Sequence, residues 1–309
     1  MSLKLIAPVL ALASAFPATA QELSYAQFGI EFTNITADGF DRSVTETTGD
    51  VEFTIDQFVL GAAIANRAYD FDSGSDGEIL NYSVYGAYAV TPEFLVGAGL
   101  TGIDVESTEL SGYEVFAQYV TPAFGVAVNY QVPDDEADDF SLTSVFGEIE
   151  VSPGITIGAI YEDYEYDDIA FYALAGEYEE GPIFARAFYQ AYTELDTYLV
   201  GLRGSYAIND MFSATAVLLR SEDYIVEEVT GVSLGAEYAV NDAFAVGGEF
   251  GRLEGSGNEA DFFSLALTYE MGSQARLDRT MATAARDDRN FGLNAVFPDA
   301  GIGAGFSIF

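Results

Sequence analysis

The residues with the most chemical reach in this chain are carboxylates set two apart, Glu148 with Glu150 and Glu177 with Glu179. In an extended chain, residues two apart share a face. Each pair therefore puts two acids side by side, a spacing that would serve acid–base work. The partners for that work are missing. The sequence has no histidine and no cysteine, so Ser-His and Cys-His chemistry is unavailable. A zinc site would have carboxylates alone. Nothing resembles a phosphate-binding loop. The 50 acidic against 11 basic residues, a formal net charge of -39, argue against nucleic acid as a partner. The paired acids read as a wetted wall. No catalytic residue, no metal centre and no required cofactor is expected, and the chain is not read as an enzyme.

Two acidic runs could in principle hold Ca²⁺ or Mg²⁺ weakly. Residues 133–139 read PDDEADD and 162–168 read EDYEYDD, both rich in hard oxygen ligands. Neither has the EF-hand spacing with its central glycine. Runs of this kind are usually solvated, so they read as an acidic rim.

The elements that must carry these acids are strands. Residues 1–20 stand apart as a cleaved secretory signal, with Lys4, an apolar run from Leu5 to Phe16, and Ala18-Thr19-Ala20 as the cleavage site. The remainder, 21–309, reads as one domain. It lacks the run of about 20 apolar residues that a spanning helix needs. One motif recurs instead: an aromatic residue, a turn pair, then Phe or Ile. Tyr88 precedes Thr91-Pro92-Glu93-Phe94, Tyr119 precedes Thr121-Pro122-Ala123-Phe124, and Tyr206 precedes Asn209-Asp210-Met211-Phe212. Tyr238 precedes Asn241-Asp242-Ala243-Phe244, and Tyr178 precedes Gly181-Pro182-Ile183. Between the turns, apolar residues alternate with small or polar ones, the period of a strand. Val232, Leu234, Ala236 and Tyr238 fall on one face, and Gly231, Ser233, Gly235 and Glu237 on the other.

Strands are predicted at 23–35, 46–55, 58–69, 78–90, 94–104, 109–120, 123–132, 140–151, 154–162, 168–179, 182–192, 197–208, 211–220, 229–240, 243–252 and 260–271. Two more would come from 291–309. The expected fold is all-β, a transmembrane antiparallel up-and-down barrel of 16 to 18 strands. Tight turns gather at one end and acidic connections at the other, the asymmetry of barrels that cross outer membranes.

The polar face decides which way the barrel is turned. It carries Glu31, Glu52, Glu114, Gln118, Glu148, Glu150, Glu177, Glu179, Glu237, Glu249 and Glu270, with Arg186 and Arg203. Most of its other positions read as Gly, Ala, Ser or Thr. Charges on a lipid-facing surface cost about 2–4 kcal/mol each for midplane Arg or Lys, so this face must line water. These thirteen residues are the expected pore lining. Arg186 and Arg203 would either form a basic wall or neutralise nearby glutamates. Tyr88, Tyr119, Tyr178, Tyr206, Tyr238 and Tyr269 would form an aromatic girdle at the tight-turn end. Tyr69, Tyr113, Tyr130, Tyr161, Tyr189 and Tyr198 would lie near the acidic end.

With its signal peptide, meander of strands, tyrosine girdle and terminal Phe309, the chain resembles the Gram-negative outer-membrane porins of the general-diffusion type. Its C-terminal GIGAGFSIF is similar to the final strand of that family, with Phe309 on the other phase from Ile302, Ala304, Phe306 and Ile308. The resemblance implies passive diffusion of small hydrophilic solutes, a homotrimer, and contact with outer-membrane lipid and lipopolysaccharide. The luminal acids imply preference for cations. One departure stands out. No connection before 271 is long enough to fold inward as a constriction. The long irregular piece is 272–290, with Arg276, Arg279, Arg286 and Arg289. It would be either a solvated helix outside the pore or a constriction inside it. The competing function is a structural or adhesive barrel with a plugged lumen.

Overall fold

The computed structural model describes residues 22–37, 40–71, 77–105, 108–133, 141–165, 169–193, 197–222, 228–255 and 258–272. They form β1 (Glu22–Ala37), β2 (Phe40–Ile55), β3 (Phe58–Phe71), β4 (Gly77–Ala89), β5 (Phe94–Val105), β6 (Thr108–Val120), β7 (Phe124–Pro133) and β8 (Leu142–Ser152). The second half is β9 (Ile155–Tyr164), β10 (Ile169–Glu180), β11 (Ile183–Tyr192), β12 (Thr197–Asn209), β13 (Phe212–Glu222), β14 (Glu228–Ala239), β15 (Phe244–Gly255) and β16 (Asn258–Gly272). Each strand pairs antiparallel with the next. β1 pairs with β16 from Tyr25↔Gly272 to Ala37↔Ala260, which closes the barrel.

Closure settles the strand number at 16. Both edges of β1 and of β16 are used, so the ladder has no free edge for two more strands. The terminal 291–309, with the GIGAGFSIF segment, lies outside the described residues, as do the signal segment 1–20 and the basic stretch 273–290. Several strands run further than their alternation suggests. β2 begins at Phe40 rather than 46, and β9 continues to Tyr164, taking in the start of the EDYEYDD run.

The recurrent turn motif has a local explanation. In Asn209-Asp210-Met211-Phe212 the Asn209 Oδ1 accepts hydrogen bonds from the backbone N–H of Met211 (2.9 Å) and Phe212 (3.0 Å). Asn241 does the same for Ala243 (2.9 Å) and Phe244 (3.0 Å). Thr91 Oγ1 accepts from Glu93 (3.2 Å) and Phe94 (3.1 Å), and Thr121 Oγ1 from Ala123 (3.4 Å) and Phe124 (3.1 Å). One side-chain oxygen thus satisfies two donors that the hairpin end would leave unpaired. At Pro153-Gly154, Gly154 takes a φ of 76°, which only a residue without Cβ adopts freely, and a Cβ there would lie 2.3 Å from the Glu179 carbonyl oxygen.

The outward face is aliphatic and aromatic. Val84, Leu100, Val115, Ile157, Leu174, Leu202, Leu218 and Leu234 are all exposed on it. At the tight-turn end, Phe58, Phe212 and Phe244 each meet the tyrosine opposite in the ladder, and Phe124 meets Tyr119 across their own turn. Phe58 packs on Tyr88 with ring centroids 5.3 Å apart, and Tyr119 on Phe124 at 5.7 Å. Phe212 packs on Tyr238, and Phe244 on Tyr269, both at 4.7 Å. Such pairs contribute about 0.5–1.5 kcal/mol beyond the area they bury. Near the other end, Tyr113, Tyr130 and Tyr161 are exposed outward, and Tyr189 stacks on Tyr198. Tyr69 departs from the expected girdle: it points inward and is buried beneath the Arg42 guanidinium, 4.4 Å from its ring centroid.

Asn209→Ala and Asn241→Ala should each lower unfolding stability by about 1 kcal/mol, because each leaves two turn amides without their acceptor. Urea titration of the refolded protein, followed by heat-modifiable mobility, reads this directly. Midpoints equal to the parent would mean that water replaces the side-chain oxygen without cost.

Candidate functional site: the inner wall

Strand alternation sends every second residue to the inside. The inward set is Tyr25, Gln27, Gly29, Glu31 and Thr33 on β1, Arg42 to Glu52 at even numbers on β2, and so on around the ring. All thirteen residues expected on the polar face lie on this inward face, but their environments divide them. Glu31, Glu150, Glu179, Glu237 and Glu270 are exposed within the lumen. Glu148, Glu177, Glu249, Arg186 and Arg203 are half-buried. Glu52, Glu114 and Gln118 are buried against the wall.

Glu52 illustrates the difference. Ser24 Oγ donates to its Oε1 (3.0 Å) and Tyr85 Oη donates to its Oε2 (3.2 Å). The two donors come from strands on either side, and Tyr85 reaches across β3 because Gly61 lies beneath its ring. Glu52 is therefore a tether between strands. Arg186 forms an ion pair with Glu177 opposite it on β10, and stands directly across from Arg203 on β12. Arg186 thus pairs locally with a glutamate, and the two arginines adjoin.

The inner wall also holds residues that sequence patterning assigned elsewhere or passed over. Glu162, read as part of an acidic connection, is inside β9 and fully buried, with Ser144 (3.3 Å) and Tyr164 (3.1 Å) donating to its two oxygens. Arg67 pairs with Glu46 at 2.9 Å on the same face. The expectation of small residues between the charges needs correction. Tyr85, Phe116, Phe146, Ile160, Phe171, Phe188 and Phe262 all point inward and are buried.

Four of those rings lie over glycines on the neighbouring strand. Tyr85 is the ladder partner of Gly61, Phe116 of Gly97, Phe188 of Gly201 and Phe262 of Gly251. A Cβ on these glycines would come 2.1, 2.1, 2.2 and 2.4 Å from the ring. The missing side chain lets each ring fold flat along the wall, burying its surface without projecting into the lumen. Toward the acidic end, Ile35, Val44, Leu219, Val229, Leu253 and Phe262 join into an apolar belt on the inner wall. The exposed carboxylates Glu150, Glu179, Glu237 and Glu270 sit toward the tight turns. Apolar and charged groups occur at both ends of the inner wall: Val59, Ala89 and Leu95 cluster near the tight turns, and Arg42 and Glu162 are buried toward the acidic end. Substantial contact between strands is confined to ladder neighbours, so opposite walls stand apart. Among the described residues, no group of three or more acidic, histidine or cysteine side chains could hold a metal ion.

A closed 16-strand barrel with an apolar outer band and charged inner wall is the architecture of porins. No protein-family model and no curated protein matches the chain. Solved structures match it by shape. A porin variant from Rhodopseudomonas blastica superimposes with a TM-score of 0.52 at 12% identity, covering 81% of this chain and 100% of the other. OpdQ of Pseudomonas aeruginosa gives 0.54 at 8%, covering 83% and 99%. OccAB4 of Acinetobacter baumannii gives 0.53 at 10%, covering 82% and 100%. The chain shares the porin fold with them.

The absence of native cysteine makes the two faces separately addressable. In liposomes, Glu237→Cys and Glu179→Cys should react with a charged, membrane-impermeant thiol reagent, and Leu218→Cys and Leu234→Cys should not. Equal rates at position 234 and position 237 would mean that the faces are not divided between lipid and water.

Proposed function

We propose that this protein is an outer-membrane porin, a passive channel for small hydrophilic solutes with preference for cations. The observation that carries the reading is the set of exposed inward carboxylates, Glu31, Glu150, Glu179, Glu237 and Glu270, in a barrel whose walls stand apart. Carboxylates exposed on a wetted wall raise the local cation concentration and repel anions. The rings laid over glycine support an open bore. The half-buried Glu148, Glu177, Glu249, Arg186 and Arg203 add to the lining, and Glu52, Glu114 and Gln118 shape the wall behind it. No reaction is assigned to these residues, and no cofactor is required.

The setting follows from the same reading. The first 20 residues direct export and are removed, the outward aliphatic band meets outer-membrane lipid, and the acidic connections are bridged by divalent cations to lipopolysaccharide phosphates. The outward positions Ser43, Thr45, Thr47 and Gly49 on β2 lack the aliphatic side chains of the rest of the band. That poor lipid surface favours packing against further copies, in a homotrimer.

Residues 106–107 alone separate β5 from β6, and the longest connection between described strands is from Pro133 to Leu142. The narrowing element is then sought after β16. β16 ends at Gly272, at the tight-turn end, where Glu150, Glu179, Glu237 and Glu270 gather. Arg276, Arg279, Arg286 and Arg289 would pair with that ring as a constriction. The inner apolar belt lends some support to the second reading, a structural barrel with a filled lumen.

In planar bilayers the refolded chain should give stable conductance steps and a cation-selective reversal potential under a KCl gradient. The selectivity should fade as salt rises from about 0.1 M to 1 M, where the screening length falls from roughly 10 Å to 3 Å. Glu31→Gln, Glu237→Gln and Glu270→Gln together should lower the cation-to-anion permeability ratio. Deleting 273–289 should enlarge the step; an unchanged step would place that segment outside the bore. Silence from a correctly inserted barrel would overturn the channel and leave the filled-lumen reading.

A further inference from the structure

We propose that the inner wall at the middle of β5, β6 and β7 is a binding subsite for a compact cationic donor, a primary ammonium or guanidinium group carried by a small solute. Thr101 on β5, Glu114 and Gln118 on β6, and Asn129 and Gln131 on β7 all point inward, and none is more than 6% exposed. Ladder pairing brings Thr101, Glu114, Asn129 and Gln131 together. Glu114 stands between Gly99 and Gln131, Asn129 is opposite Phe116, and Thr101 is opposite Gly112.

The side chains are incompletely satisfied. Asn129 Nδ2 donates to Glu114 Oε2 at 3.3 Å, and the Gln131 side-chain amide also donates to that carboxylate. Glu114 Oε1, Asn129 Oδ1, Gln131 Oε1 and Thr101 Oγ1 have no hydrogen-bond partner, and neither does Gln118 Nε2. Two glycines let these side chains lie close along the wall. A Cβ on Gly99 would fall 2.4 Å from Glu114 Oε1, so the carboxylate leans over that glycine toward β5. Gly112 carries no side chain beside Thr101 Oγ1, which lies 3.6 Å from where its Cβ would be.

Four buried oxygens without partners and one carboxylate call for a donor with several N–H groups and a positive charge. Ammonium offers three donors and guanidinium five in a planar fork. A divalent metal fits less well, because the set has a single carboxylate and the described residues hold no group of three acidic, histidine or cysteine ligands. Gln118 Nε2, an orphan donor, stands four residues along β6 from Glu114, beyond Phe116, and marks the edge of the subsite. The exposed luminal glutamates form no comparable cage. Glu237 faces open lumen, so it attracts cations by field alone.

The subsite does not depend on conduction, and its test is kept separate from it. The full chain, refolded in detergent micelles, is titrated with methylguanidinium and with methylammonium, and bound probe is read by saturation-transfer NMR. Saturable binding is expected, weakened about tenfold or more by Glu114→Gln, as loss of a charged hydrogen-bond partner requires. Thr101→Val should weaken it without changing net charge, and Glu237→Gln, which removes the same charge as Glu114→Gln, should leave it intact. Heat-modifiable mobility checks that each variant folds, and Thr101→Val carries the test if Glu114→Gln does not. Equal weakening by Glu237→Gln, or unchanged binding in both subsite variants, would overturn the proposal. Current without probe binding defeats the subsite alone; probe binding without current defeats the channel alone.

Discussion

Everything in this structure depends on closing a hydrogen-bonded ladder on itself. A strand edge exposed to hydrocarbon would leave a row of backbone donors and acceptors without partners, each costing several kcal/mol. Pairing of β1 with β16 removes both edges at once. Once the ring is closed, strand alternation divides the chain into an outer and an inner surface, and every later property is assigned to one or the other. The short Asn- and Thr-capped turns serve the same constraint, because they return the chain to the ladder with the fewest unpaired amides.

The inner surface has its own conflict. Closing 16 strands needs inward side chains that pack well enough to hold the wall, while an open bore needs them out of the way. Glycine–aromatic ladder pairs resolve it. Tyr85 on Gly61, Phe116 on Gly97 and Phe188 on Gly201 bury ring surface sideways along the wall. Tyr85 then gives its hydroxyl to Glu52, so one pair both packs the wall and tethers a carboxylate.

This arrangement also explains why luminal carboxylates are not interchangeable. Glu237 and Glu270 are exposed on the inner wall. Glu162 and Glu52 are held by hydroxyl donors from neighbouring residues and strands. Glu114 stands between these cases, with one oxygen held by Asn129 and the other without a partner.

The sequence by itself determined the strand period, the turn positions and which residues share a face, because alternation and turn chemistry are local. Glu237 opposite Leu234 could be read from numbering alone, as could the Asn209 and Asn241 turns. It left open 16 strands or 18, since closure is a contact between β1 and β16 that lie far apart in the chain. It put Glu162 where the strand 154–162 meets an acidic run, and only a neighbouring strand that supplies Ser144 as a donor shows it to be part of the wall. It gave Glu52, Glu114 and Glu237 one role, although only strand register decides which carboxylate meets a tyrosine, an asparagine or open water. Periodicity fixes the direction in which a side chain points; what it meets there belongs to the partner strand, and only the closed tertiary structure decides that.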